Sequence, residues 1–172
     1  DGARLVVLRG EQGVGKSRLA DWFGQRSHEL GSSEVLRVRH SSGGGILDGL
    51  GGMISRSAQL DGLSRELVVK KLGSWPFLDH IDVDVLTSMV TGVGHIQVSR
   101  PERFASVRRF LRGLCVERPA VIIFDDLQWG PEATAFLRVL VAESSELPVL
   151  AIAVPVASQG VEAIADLVIE YS

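Results

Sequence analysis

A chain of 172 residues with 45% hydrophobic and 23% charged side chains has the size and make-up of one soluble domain with a real core. Its 18 basic and 21 acidic side chains leave a net charge of -3, so there is no global basic field to hold nucleic acid or an anionic membrane. One cysteine, Cys115, excludes an internal disulfide and fits a reducing compartment, and no apolar run is long enough to cross a bilayer, so a cytoplasmic location is expected.

The N-terminus lacks the layout of a signal peptide, and the chain passes from Asp1 almost directly into a strand pattern, which suggests an excerpt from a longer polypeptide. In chain order, RLVVLRG at 4–10 is a short β-branched run closed by glycine and reads as a buried strand. Residues 16–30 place Leu19, Trp22, Phe23 and Leu30 at roughly helical spacing, with Gly31 as the stop. EVLRVRH at 34–40 alternates as a second strand, and SSGGG at 41–45 reads as a loop. From 46 to about 98 three short helices are expected, in ILDGLGGMISRSAQL, LSRELVVKKLGSW and DVDVLTSMV. Trp22 and Trp75 read as core.

The segment from Ser99 to Pro119 is a clearer helix: Ser99 can cap it, Pro101 and Glu102 suit its first turn, and Phe104, Val107, Phe110, Leu111 and Leu114 share a face. Its five arginines between 100 and 112 suit either a phosphate-binding face or, more commonly, a solvated one. Cys115 reads as a small apolar residue on that helix. AVIIFDD at 120–126 is a buried strand ending in two carboxylates. A helix follows from Pro131 to Glu143, then the strands PVLAIAVPV at 148–156 and DLVIEYS at 166–172. Strands alternating with helices imply a mostly parallel sheet covered on both faces.

Gly10, Gly13, Gly15, Lys16 and Ser17 satisfy G-x-x-x-x-G-K-[ST], with a strand before and a helix after. Glycines let the loop turn with positive φ and bring backbone N–H groups onto phosphate oxygens with no Cβ in the way. Val14 inside the loop and Arg18 just beyond it complete the expected binding set. The helix starting near Lys16 adds its positive N-terminal dipole. Lys16 is expected on the β and γ phosphates of ATP, and the Ser17 hydroxyl on Mg²⁺. Asp125, at the C-terminal end of its strand, would lie beside the loop and hold the Mg²⁺ hydration shell. Asp126 would reach the γ-phosphate side and polarise an attacking water; the plainer alternative is a loop or capping residue. His28, His40, His80 and His95 show no metal-ligand spacing, so structural roles are expected. Trp129 could stack on a base or a partner, although an anchor beneath the carboxylate loop is the commoner use.

GEQGVGKSRL together with VIIFDDLQWGPEA resembles the STAND class of P-loop ATPases, the AAA+-related modules of bacterial multidomain signalling regulators. Asp125, Asp126, Leu127, Gln128, Trp129 and Pro131 carry the second half of the likeness. The resemblance implies a three-layer α/β/α P-loop NTPase fold with a mostly parallel five-stranded sheet of order 5-1-4-3-2. It further implies a Mg-ATP switch that acts on other domains of the same polypeptide, such as transcription-regulator or Ser/Thr-kinase outputs, with nucleotide-dependent self-association as a further expectation. No direct nucleic-acid or membrane contact is expected of this segment. In such ATPases the strand at 148–156 normally ends in a polar or arginine sensor facing the γ-phosphate. Here the arginine is missing near Val156, with Ser158 or Gln159 the nearest polar substitutes, so hydrolysis that is slow, or lost with binding retained, is expected. Two other readings remain: a P-loop phosphotransferase acting on a small molecule, with acceptor arginines from 99–117, and a DNA-handling AAA+ ATPase.

Overall fold

The run AVIIFD is buried along its length up to its last carboxylate, as a parallel strand covered on both faces requires. The computed structural model describes residues 2–45, 48–93, 98–155 and 160–171. It contains five strands, β1 (Arg4–Arg9), β2 (Glu34–Val38), β3 (Ala120–Asp125), β4 (Val149–Val154) and β5 (Leu167–Glu170), all paired in parallel in the order β2-β3-β4-β1-β5. That is the expected order, read from the opposite edge. The helices are α1 (Lys16–Glu29), α2 (Gly49–Ser57), α3 (Arg65–Gly73), α4 (His80–Thr91), α5 (Arg100–Leu114) and α6 (Pro131–Glu143). The three short helices expected between 46 and 98 are α2, α3 and α4.

Period-2 alternation divides the strands between two cores. Leu5, Val7, Leu36, Val38, Ile122, Phe124, Ala151 and Ala153 join residues of α2 to α6 in the larger one. Leu8, Val121, Ile123, Ile152 and Val154 face the other way, onto Ala20 of α1. The domain is therefore a three-layer α/β/α sandwich, with α1 on one side of the sheet and the remaining described helices on the other.

α1 corrects the sequence reading. Trp22 is 61% exposed, and Phe23 and Leu30 are exposed too; the residues it buries are Lys16, Ala20 and Gly24. These recur every fourth position, so one stripe of small contacts lies on the sheet. A β-carbon on Gly24 would sit 3.0 Å from Ile123 Cδ1 and from Val35 Cγ1, so a larger residue would have to push both methyl groups aside. Small side chains let the helix lie close, and the large apolar ones are turned outward.

Trp75, by contrast, packs at the edge of the larger core and stacks on Phe110 with ring centroids 4.7 Å apart. α5 starts on the expected Ser99 cap, reciprocated by Glu102. Four of its five arginines are tied to neighbouring elements: Arg103 to Glu132, Arg108 to Glu143, Arg109 to Asp82 and Arg112 to Glu146. The arginine row thus straps α5 to α4, α6 and the turn after α6. Cys115 caps the end of α5 rather than lying within it, and burial pushes its thiol up to about 11, so it is not a ready nucleophile.

Candidate functional site

The glycine loop joins β1 to α1 and needs its glycines. Gly10, Gly13 and Gly15 have φ of 150°, 89° and 102°, conformations that side-chain-bearing residues rarely adopt. At Gly10 a β-carbon would also overlap the Tyr171 carbonyl oxygen. α1 starts directly after Gly15, with neither a side-chain cap nor an acidic residue in its first turn, so its leading amides and dipole face the loop uncompensated. A helix start of this kind favours an anion.

Lys16 is buried, and its ammonium donates to the Gly10 carbonyl at 2.8 Å and the Glu11 carbonyl at 2.7 Å. Two of its three donors therefore hold the loop closed on itself, and the third is left for a further acceptor. Next to it, Ser17 Oγ donates to Asp125 Oδ1 at 3.1 Å. The sheet makes this contact possible: β1 and β3 are separated by β4 alone, so the ends of both strands open on the same edge. Burial pushes the Asp125 carboxyl up; the Ser17 hydroxyl opposes that, and the neighbouring Asp126 charge adds to it.

Asp126 holds φ of 54°, a left-handed geometry that Asp tolerates better than most residues. Its amide donates to Asp125 Oδ1 at 3.1 Å, and its own Oδ1 accepts from Gln128 Nε2 at 3.1 Å. Both carboxylates line a cleft of about 300 Å³ with Gln12, Gly13, Gly15, Lys16, Ser17, Arg18, Val154 and Pro155. Seven of the nine residues singled out from the sequence line it, while Gly10 and Val14 shape the loop from outside the cleft, with Val14 Cγ2 3.5 Å from where a Gly10 β-carbon would be. Ser158 and Gln159, the suggested substitutes for a sensor arginine, and His95 lie outside the described residues.

The carboxylate loop is anchored differently from expectation. Trp129 is 54% exposed, and Leu127 is the buried residue beneath the loop. His40, just past the end of β2, was not singled out for function, yet its ring packs so closely on Gly130 that a β-carbon there would overlap it. His40 Nδ1 lies 3.5 Å from the Asp125 carbonyl. The available signal was positional: β2 pairs with β3, so whatever follows β2 must meet whatever follows β3. Gln128, seen in the sequence only as part of a motif, is the residue that fixes the Asp126 carboxylate.

Among the described residues no group of three or more His, Cys, Asp or Glu side chains could hold a metal ion by itself. The Ser17 and Asp125 oxygens still fit Mg²⁺, which is usually held by one or two protein oxygens together with waters and substrate phosphates. No described helix is long and apolar enough to cross a membrane.

The family model for the AAA ATPase domain matches residues 1–152, and the chain belongs to that family. Among curated proteins, none matches the chain. The coarse functional class is thereby fixed as a nucleotide-binding P-loop ATPase domain.

Proposed function

Starting from membership of the AAA ATPase domain family, we propose that this chain is a Mg-ATP switch module of the STAND class. In this reading nucleotide occupancy biases its packing against other domains of the same polypeptide, with a bacterial transcription regulator or Ser/Thr kinase as output and nucleotide-dependent self-association as one consequence. The observation that carries the site is the 3.1 Å bond from Ser17 to Asp125, which joins the phosphate loop to the second carboxylate motif across 108 residues of sequence. Gly10, Gly13, Val14 and Gly15 shape the loop, Lys16 holds the β and γ phosphates, Arg18 borders them, and Ser17 with Asp125 holds Mg²⁺. Bound there, Mg²⁺ supplies charge neutralisation at the β and γ phosphates. Asp126, held at its other oxygen by Gln128, orients and polarises the attacking water. Support for a switch over a metabolite kinase comes from α5, whose arginines are engaged by Glu132, Glu143, Glu146 and Asp82.

Titration calorimetry of Mg-ATP, followed by single-turnover hydrolysis on the same sample, tests the reading. Lys16→Ala is expected to abolish binding with the fold retained, and unchanged affinity would remove the account. Asp126→Asn is expected to keep the affinity and slow turnover by about 10²-fold or more. An unaltered rate would return Asp126 to a purely structural role.

A further inference from the structure

The sheet order gives the phosphate loop two unlike neighbours. On one side of β1 lies β4 and then β3, and the cleft is lined from there, by Val154 at the end of β4, Pro155 just after it, and the two carboxylates at and just past the end of β3. No residue of β5 and no aromatic side chain lines it. The Ser17–Asp125 bond places the metal end of a bound polyphosphate on this flank. The other end of the polyphosphate, with its nucleoside, must then leave the loop on the flank away from Asp125, toward β5.

What stands on that flank is Tyr171, the chain's single tyrosine. It follows β5 directly and is tied to β1 by its amide, which donates to the Arg9 carbonyl at 2.7 Å. Its carbonyl packs on Gly10, and its ring atom Cε1 lies 3.8 Å from where a β-carbon on Gly15 would be. The ring therefore stands against the loop itself, on the side opposite the carboxylates. It is 37% exposed, and its hydroxyl makes no hydrogen bond among the described residues. A partly exposed aromatic face held by backbone bonds, with an unengaged polar tip, is a stacking surface for a planar heterocycle. Leu19, one helical turn beyond Gly15 on α1 and half-buried, lies on the same flank of that helix and adds apolar surface.

We propose that Tyr171 is the base-side wall of the nucleotide site and takes the nucleobase in a stacking contact. The proposal rests on the nucleotide reading above and adds which part of the ligand is recognised beyond its phosphates. Stacking is tolerant of base identity but grows with ring size, so purine triphosphates are preferred over pyrimidine ones.

The test compares affinities for Mg-ATP and for Mg-tripolyphosphate, which carries the phosphates without the base, in the wild-type chain, Tyr171→Phe and Tyr171→Ala. Tyr171→Ala is expected to weaken ATP by about 5- to 150-fold, the range of base–aromatic stacking losses. The same variant should bind tripolyphosphate within about twofold of wild type, which also shows that it folds, and Tyr171→Phe should keep ATP affinity because it keeps the ring. If Tyr171→Ala leaves ATP binding unchanged, or weakens both ligands alike, the ring only supports the loop and the proposal fails. If the wild-type chain binds tripolyphosphate as tightly as ATP, the base contact fails while the phosphate site stands. If it binds neither, the nucleotide reading itself fails, and this inference with it.

Discussion

Replacing Asp82 by alanine separates the two uses open to the α5 arginines. Asp82 is the third residue of α4; its side chain is fully buried and accepts from Arg109 Nε at 2.7 Å and from Ser106 Oγ at 2.6 Å, while its amide donates to Asp79 Oδ1 at 2.8 Å. The variant would leave the buried Ser106 hydroxyl unpaired, a loss of about 1–3 kcal/mol. Arg109 is 44% exposed and can turn to water, so its ion pair adds only about 0.2–1 kcal/mol. A total of about 1–4 kcal/mol corresponds to about 2–16 °C in Tm for a chain of this size. Urea and thermal unfolding measure that loss, and calorimetry on the same variant should find Mg-ATP affinity unchanged. An unchanged Tm, or a lost affinity with Tm intact, would refute the view that the arginine row is a structural strap. The pH dependence is a second check. Burial raises the Asp82 carboxyl, but Arg109, Ser106 and the α4 cap outweigh it and hold the group below its ordinary value of 3.8. A depressed acid stabilises the fold fully above 3.8 and loses that contribution as pH falls through its folded value. The stability gap between wild type and Asp82→Ala should therefore be constant from neutral pH down to mildly acidic conditions, and close only below 3.8.

Asp125 has the opposite sign. Its carboxyl is raised mainly by burial, so the ionised form burdens the folded state above 3.8 and the burden fades as the group protonates. Asp125→Asn is accordingly expected to raise the stability of the nucleotide-free protein at neutral pH, to show no gain well below 3.8, and to lose the Mg²⁺-dependent part of ATP affinity; a neutral-pH destabilisation would count against burial as the dominant cause. Gly130 has an ordinary φ of -126°, and the His40 ring is the nearest obstacle to a side chain there. Gly130→Ala should cost about 1–3 kcal/mol by overpacking, and adding His40→Ala should recover most of it. A double-mutant cycle on urea midpoints that gives simple additivity would show that the two residues do not press on each other.

What the sequence made legible, and what it did not, follows from how each feature is encoded. β3 and β4 were readable because a parallel strand covered on both faces is apolar at nearly every position, as 120–124 is, and β2 by its alternation. The phosphate loop was readable because its backbone demands glycine at fixed positions. α1 departs from the hydrophobic pattern because its large apolar side chains are not the ones it buries. Its task is to bring Ser17 within 3.1 Å of Asp125, and that close approach selects Ala20 and Gly24 for the sheet face and leaves Trp22 in solvent. A helix that must lie near a strand is marked by small residues every fourth position, a pattern that hydrophobic periodicity alone passes over.

His40 and Tyr171 were illegible for a different reason. Neither stands in a motif, and each acquires meaning only from the strand that precedes it. β2 is the neighbour of β3, and β5 of β1, so the residues that follow them fall beside the carboxylate loop and the phosphate loop respectively. The motifs fix which loops carry the chemistry, and the strand order fixes which other residues flank them. Given the order β2-β3-β4-β1-β5, the positions just past β2 and β5 are where such flanking residues must be sought. The histidine and the tyrosine found there press on Gly130 in one case and on Gly10 and Gly15 in the other. A side chain at Gly130 or at Gly10 would have to displace its neighbour, and one at Gly15 would come into contact with the tyrosine ring, so the conformations of both loops depend on strands that contribute no motif of their own.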